Sequence, residues 1–295
     1  DATRVKTLEE KLAPPSVDWR NSKTVTQVKN QGQCGSCWAF ASVGSIESRY
    51  AIATGALRSL SEQELVDCVT GNLGCGGGQL DLAFQFVIDN KGIDEEDDYT
   101  YAAAQNQCDT NRTKRIAARI SGFQHVPTSN EAQFIQALAQ GPVAVAIEAD
   151  ERDFMLYKSG VLDAKCGSKL DHGVLVVGYT EDAFIVKNSW GPSWGENGYI
   201  RLKRFPVSPA HPAGQCGLLT IPTYPIIEDT EPVPLGPPTP TPPAGLTCDC
   251  VQACDNMCKQ FGMRCCSGKN GNCNCMPARD TCCDSNLRPW VMELV

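Results

Sequence analysis

The sequence predicts an α+β body of two packed lobes with a cleft where they meet, followed by a small disulfide-rich module. Three observations predict it. Helical patterning fills the first half of the body and strand patterning the second, which sorts unlike elements into separate lobes. Residues 226–247, IIEDTEPVPLGPPTPTPPAGLT, are rich in Pro and Thr without a hydrophobic period and read as an extended spacer. Ten of the 17 cysteines crowd into residues 248–283, behind that spacer. The expected division is a polar arm or propeptide remnant at 1–13, a globular body at 14–225, the linker at 226–247 and a cysteine-rich module at 248–295. The polar start, DATRVKTLEEKLA, reads as a processed end, and the chain as an activated form.

SCWAFASVGSIESRYAIAT (36–54) places Trp38, Phe40, Ala41, Val43, Ile46, Tyr50 and Ile52 near helical period and is almost wholly apolar at its start, so it predicts a buried central helix. LSEQELVDC predicts a second helix, because Ser61 with Glu64 three residues on is a capping-box pattern. GGQLDLAFQFVIDNKG predicts a third, closed by Gly92. EAQFIQALAQ, before Gly141-Pro142, is a short helix among strands. GPVAVAIEA, GVLVVGYT, AFIVKNSW and GYIRLKR are β-branched runs between turn signals, and TED between two of them predicts a hairpin.

Bulk properties exclude some function classes. The formal net charge of −8 and pI near 5.0 argue against a nucleic-acid partner, which wants a basic face. No apolar run approaches the roughly 20 residues that span a bilayer. Heavy cysteine usage predicts an oxidising, secretory-pathway context. Seven cysteines precede residue 225, so one must be left over, as an intermolecular partner or a free reactive thiol. The sequon Asn111-Arg112-Thr113 is a glycosylation candidate for that compartment.

The stretch QGQCGSCWAF frames the chemistry. Cys34 and Cys37 are compatible with a redox pair, half a metal site, halves of two disulfides, or one disulfide cysteine beside one reactive thiol. If Cys37 starts a helix, its sulfur sits where unpaired N–H groups and the positive dipole end converge, which favours thiolate. Of the three histidines, His125 and His211 lie in turn-like settings that suit surface or structural roles. His172 stands at the entry to a buried strand, beside Gly173, which leaves room for a substrate; it is the candidate base. Asn188, at a strand end, is placed to orient the imidazole, with Trp190 to shield that bond from water. The Gln31 amide and the Cys37 N–H are candidate oxyanion donors.

NQGQCGSCWAF, GCGGGQ, LDHGVLVVGY and VKNSWGPSWGENGYIRL resemble, in that order, four signature blocks of the papain-like cysteine proteases, in the cathepsin L-like branch. The resemblance covers residues 15 to about 225. It implies a two-lobed papain-like fold, with a helical left lobe, a β-barrel-like right lobe and the active-site cleft between them. It implies a cysteine-type endopeptidase with Cys37 as nucleophile, His172 as base and acid, Asn188 as orienting residue and Gln31 as oxyanion donor, and no metal or cofactor. Gly77 and Gly78 then pair with an extended substrate, and Asp171 and Trp190 flank it. Leu80, Ala146, Gly173 and Ile221 line the pocket for the second residue before the scissile bond, P2, implying a preference for Leu, Val or Phe. The disulfides implied are Cys34–Cys75, Cys68–Cys108 and Cys166–Cys216, which leaves Cys37 free. Polypeptide substrates, cystatin-type inhibitors and its own propeptide are the implied partners of a monomer in a lysosome, vacuole or extracellular space, with no nucleic acid or membrane partner.

In the tail, Cys248, Cys250, Cys254, Cys258, Cys265, Cys266, Cys273, Cys275, Cys282 and Cys283 are expected to pair among themselves, since the segment is too poor in apolar residues to bury a core. Adjacent pairs and the compartment favour disulfides over zinc. CMPARDTCCD is similar to part of a granulin repeat, although the other spacings differ. Two other classes compete: a catalytically silent relative that binds or signals through the tail, and a thiol–disulfide oxidoreductase, which requires a Cys34–Cys37 bond.

Overall fold

The computed structural model describes residues 13–205, 211–228 and 230–233 in full, and 263–267 and 273–277 as backbone strands. The chain divides by contacts into Asp1–Leu235 and Gly236–Val295.

The helical lobe is built on α1, Cys37–Thr54. Residues Trp38 to Ala51 are all buried, and the helix turns solvent-ward only at Ile52, which is 36% exposed. Gly55, left-handed at φ 75°, ends it and returns its N–H to Ala51 O. α2, Glu62–Cys68, starts where Ser61 Oγ accepts the Glu64 N–H at 3.0 Å. The reciprocal half of the capping box is not made. Glu64 instead accepts from Asp94 N at 2.7 Å and Asn90 Nδ2 at 3.1 Å, while the Ser61 N–H goes to Asp94 O. The tertiary partner wins because it satisfies a buried N–H that would otherwise be orphaned.

α3, Leu80–Asp89, does not end on a left-handed Gly92. Lys91 takes that conformation at φ 63° and donates to Ile88 O, and Gly92 follows with its N–H on Val87 O, a Schellman closure displaced by one residue. Gly92 is needed for space, since a Cβ there would lie 2.6 Å from Ala118 O.

The second lobe is one mixed sheet: β1 (Val17–Asp18), β2 (Gly122–His125), β3 (Val143–Ile147), β4 (Val161–Leu162), β5 (His172–Tyr179), β6 (Ala183–Lys187), β7 (Tyr199–Lys203) and β8 (Thr223–Ile226). The order is β2-β8-β3-β5-β6-β7-β4, with β1 on β5. Pairing is antiparallel except β4 with β7. The ladder ends at β2 and β4 and is open, so the expected barrel-like lobe is an unclosed sheet. Thr180–Asp182 joins β5 to β6 as the expected hairpin. β1, β2, β4 and β8 are additional strands; His125, read from sequence as a turn residue, lies in β2. α4 (Glu131–Gln140) and the short α5 (Arg152–Met155) complete the lobe.

Each lobe has its own core. Trp38, Ile46, Tyr50, Leu65, Phe84 and Ile93 centre the helical one, and Phe134, Phe154, Val176, Phe184 and Leu202 the sheet one; each such side chain is worth about 1.5–3 kcal/mol of transfer free energy. α1 also packs against β5, β3 and β8, which joins the lobes. Arg49 reinforces that joint. It is buried on α1 and donates from Nε to Pro142 O (2.9 Å) and from Nη2 to Ala137 O (2.9 Å) and Gly141 O (3.0 Å).

In the tail, β9 (Met263–Ser267) and β10 (Cys273–Pro277) pair antiparallel, with Cys265 opposite Cys275. The bonding of the ten tail cysteines and the arm at 1–12 lie outside the residues described in full.

Candidate active site

The structure separates the two cysteines of QGQCGSCWAF. Cys34 is bonded to Cys75, Cys68 to Cys108 and Cys166 to Cys216. Among the described residues Cys37 is the free cysteine. A Cys34–Cys37 bond is therefore absent, and with it the redox pair.

Cys37 opens α1. Its N-cap, Ser36, makes no side-chain cap, because its hydroxyl pairs with Tyr101 OH at 2.6 Å. The first N–H groups of the helix are thus left for the sulfur and for a ligand. β5 delivers His172 beside this turn. A Cβ built on Gly173 would lie 3.0 Å from Cys37 O and 3.2 Å from Trp38 Cα. Gly173 therefore makes room for the start of α1, whereas the sequence suggested room for a substrate.

His172 Nε2 meets Asn188 Oδ1 at 2.8 Å, and both residues are buried. Asn188 sits one residue past β6, where its N–H donates to Gly198 O and its Oδ1 also accepts the Ser189 N–H. Trp190 covers the pair, its ring 4.8 Å from the imidazole and tilted by 33°. Phe154 and Trp194 pack on Trp190 at 5.6 and 5.2 Å and hold it there.

Burial pushes the Cys37 thiol above its ordinary value, against the pull of backbone N–H groups of Gly173 and Trp38, while the Asp171 charge adds to the rise. Burial holds the His172 imidazolium below its ordinary value, opposed by the Asn188 bond and the Asp171 charge. Each charge alone is thus disfavoured. In general, a thiolate and an imidazolium formed side by side offset such a penalty through their mutual attraction.

Gln31 is 8% exposed and almost fully engaged. Its N–H donates to Ser189 O (2.8 Å), its Oε1 accepts from Ser189 Oγ (2.6 Å), its Nε2 donates to Cys34 O (2.9 Å) and its O accepts from Tyr101 OH (2.8 Å). One amide hydrogen remains as a fixed donor. Sequence reasoning missed Ser189 and Tyr101. Ser189 lay next to Asn188 inside a recognised block, whereas Tyr101 carried no local signal.

The remaining predicted residues lie in different settings. Gly77, at φ 111°, has open space where a Cβ would be, and Gly78 lies against Trp38 and Asn72. Ala146 is the register partner of Gly173 across β3 and β5. Asp171 is exposed and accepts the Ala149 N–H at 2.8 Å. Ile221 is 44% exposed, whereas Leu80 is 6% exposed within the helical core. Asn111 is exposed at the start of a short turn of 3-10 helix. His211 is exposed and stacks on Phe205, away from any base role. Among the described residues Glu148, Asp150 and Glu151 bring carboxylate oxygens within 4.8 Å of one another, but no further feature there points to an ion. No described helix is long and apolar enough to cross a membrane.

Comparison with known proteins follows the same residues. The profile of the papain family cysteine proteases matches residues 13–226. The probable cysteine protease RD21B of Arabidopsis thaliana is 48% identical over 92% of this chain and 60% of its own length. The oryzain beta chain of Oryza sativa subsp. japonica is 44% identical over 88% and 60%. The chain thus spans about three fifths of these relatives. A Carica candamarcensis cysteine protease in complex with E-64 superposes with a TM-score of 0.70 at 44% identity, over 73% of this chain and 100% of that one. A ragweed pollen cysteine protease in its proform does so with 0.70 at 43% identity, over 74% and 67%.

Proposed function

The chain belongs to the papain family of cysteine proteases, and we propose that it is a thiol endopeptidase working through Cys37 and His172. The observation that carries this is the free Cys37 at the start of α1, with the buried His172–Asn188 bond delivered beside it under Trp190.

In the ground state the proton of Cys37 rests on His172. The thiolate attacks the scissile carbonyl carbon, and the carbonyl oxygen takes the negative charge against the Gln31 amide hydrogen and the Cys37 N–H. As the tetrahedral centre collapses, His172 gives its proton to the leaving amine and the C–N bond breaks. His172 then takes a proton from water, which attacks the thioester carbon; the C–S bond breaks, releasing the acid and restoring the Cys37 thiolate beside a protonated His172. Asn188 keeps the ring oriented in both halves.

Polypeptides are the substrates. A preference for Leu, Val or Phe at P2 is supported by the small Ala146 and a half-exposed Ile221, a position where no acid stands to welcome arginine. The relatives with proforms support a propeptide as a partner, and three disulfides support maturation in the secretory pathway. Cystatin-type inhibition and a monomeric state complete the proposal. Labelling with an epoxide thiol inhibitor at mildly acidic pH tests it. One equivalent on Cys37, with loss of cleavage of a Leu-containing peptide, is expected; a folded protein left unlabelled at Cys37 refutes it.

A further inference from the structure

We infer that Tyr101 is a positioning residue for the oxyanion site, its hydroxyl tethering Gln31 to the residue that precedes Cys37. The inference rests on the role proposed for Cys37 and Gln31.

The two oxyanion donors come from different stretches of backbone. One is the side chain of Gln31, in a loop before α1; the other is the first N–H of α1. Their separation must stay fixed while charge grows on the carbonyl oxygen, because preorganised donors stabilise a transition state only if they need not move. Cys34 O accepts from both Gln31 Nε2 (2.9 Å) and Ser36 N (2.8 Å), and one hydroxyl adds a second bridge across the gap. Tyr101 OH donates to Gln31 O at 2.8 Å and pairs with Ser36 Oγ at 2.6 Å. A phenol has one hydrogen, so with that hydrogen on Gln31 O, Ser36 Oγ is the donor in the second bond.

Tyr101 is itself braced. Its ring stands edge-on to Phe40 of α1, with centroids 4.9 Å apart, and its N–H donates to Glu96 Oε1 at 2.9 Å. It reaches this place from the loop before Cys108, which the Cys68–Cys108 bond holds to α2. Neither brace uses the hydroxyl, so Tyr101→Phe removes the tether and keeps the packing.

The test compares Y101F with the wild type in three measurements. Deleting a whole oxyanion donor costs about 10²–10³ in kcat, and loosening the pair is expected to cost about 3- to 10-fold with KM unchanged. A peptide aldehyde, whose oxygen occupies the same donors after Cys37 adds to its carbon, is expected to weaken by a similar factor. Alkylation of Cys37 by iodoacetamide, a displacement with no oxyanion, is expected to keep its rate and pH profile. Wild-type kcat and aldehyde affinity would overturn the inference. So would an equal fall in alkylation, which would make the tyrosine a prop for the thiol or the fold. If Y101F does not fold, Ser36→Ala cuts the same tether from the other side, and the same three readouts decide. Cys37→Ala is the separate control: surviving hydrolysis there would refute the nucleophile, whereas an inert Y101F refutes only the tether.

Discussion

Replacing Glu64 by Gln should flatten the pH dependence of stability. Glu64 lies on α2 and is buried, accepting hydrogen bonds from Asp94 N and Asn90 Nδ2. Burial pushes its carboxyl from an ordinary 4.5 up to about 8, against the pull of the Asp94 N–H. The folded state therefore keeps a proton that the unfolded chain has lost between those two values. A carboxyl raised in this way makes stability fall as pH rises through the window, by up to about 1.4 kcal/mol per pH unit. From pH 6 to pH 7.5 the ceiling is about 2 kcal/mol, or a drop of about 4–8 °C in Tm for a chain of this size. Asp94, raised to about 6 by burial, contributes mainly below that range. Glu62 is raised too, by burial, and remains in both proteins, so the difference between them isolates Glu64. Gln keeps an acceptor for the Asp94 N–H and cannot titrate. Calorimetry of both proteins across pH 6–7.5 is the assay, with a shallower slope expected for E64Q. Equal slopes would refute the reasoning and mean that Glu64 is ionised in the folded protein.

Two further outcomes follow from the geometry. Asn188→Ala removes a buried bond to an imidazole that must carry charge; at about 1.5–3 kcal/mol, kcat/KM should fall about 10- to 150-fold. Loss of that bond also lowers the pKa of His172, so the alkaline limb of the pH–rate profile should move to lower pH. Arg49→Met removes the guanidinium bonds to Ala137 O, Gly141 O and Pro142 O, the last keeping Ser45 Oγ as a donor, and should destabilise the joint between α1 and the sheet lobe by about 3–5 kcal/mol, read by thermal unfolding. A loss under about 1 kcal/mol would mean that water replaces the guanidinium.

Legibility differed from element to element. α1 was plain because its start is apolar all round and nothing but burial explains that. The helix with Ser61 at its cap was found for half the right reason, since Glu64 left the capping box for Asp94. β2 and β8 were missed because each is short and pairs with a strand about a hundred residues away, so neither carries enough local pattern. The open sheet was also invisible from sequence, because closure depends on whether the end strands meet.

What the sequence alone determined is the chemistry on offer: an odd cysteine among seven, a histidine entering a buried strand, an asparagine at a strand end, and four blocks whose order identifies the family. These are local facts of residue type and spacing. The tertiary structure decided which cysteine stayed free, that Gly173 makes room for α1, and that Ser189 and Tyr101 hold Gln31 so that one amide hydrogen is left over. Those depend on groups 40 or more residues apart being brought together, as Cys68 and Cys108 are by their disulfide and Ser36 and Tyr101 by a hydrogen bond. Periodicity and propensity act over a turn or a strand and carry no information about such meetings; only the packing of the two lobes around α1 supplies it.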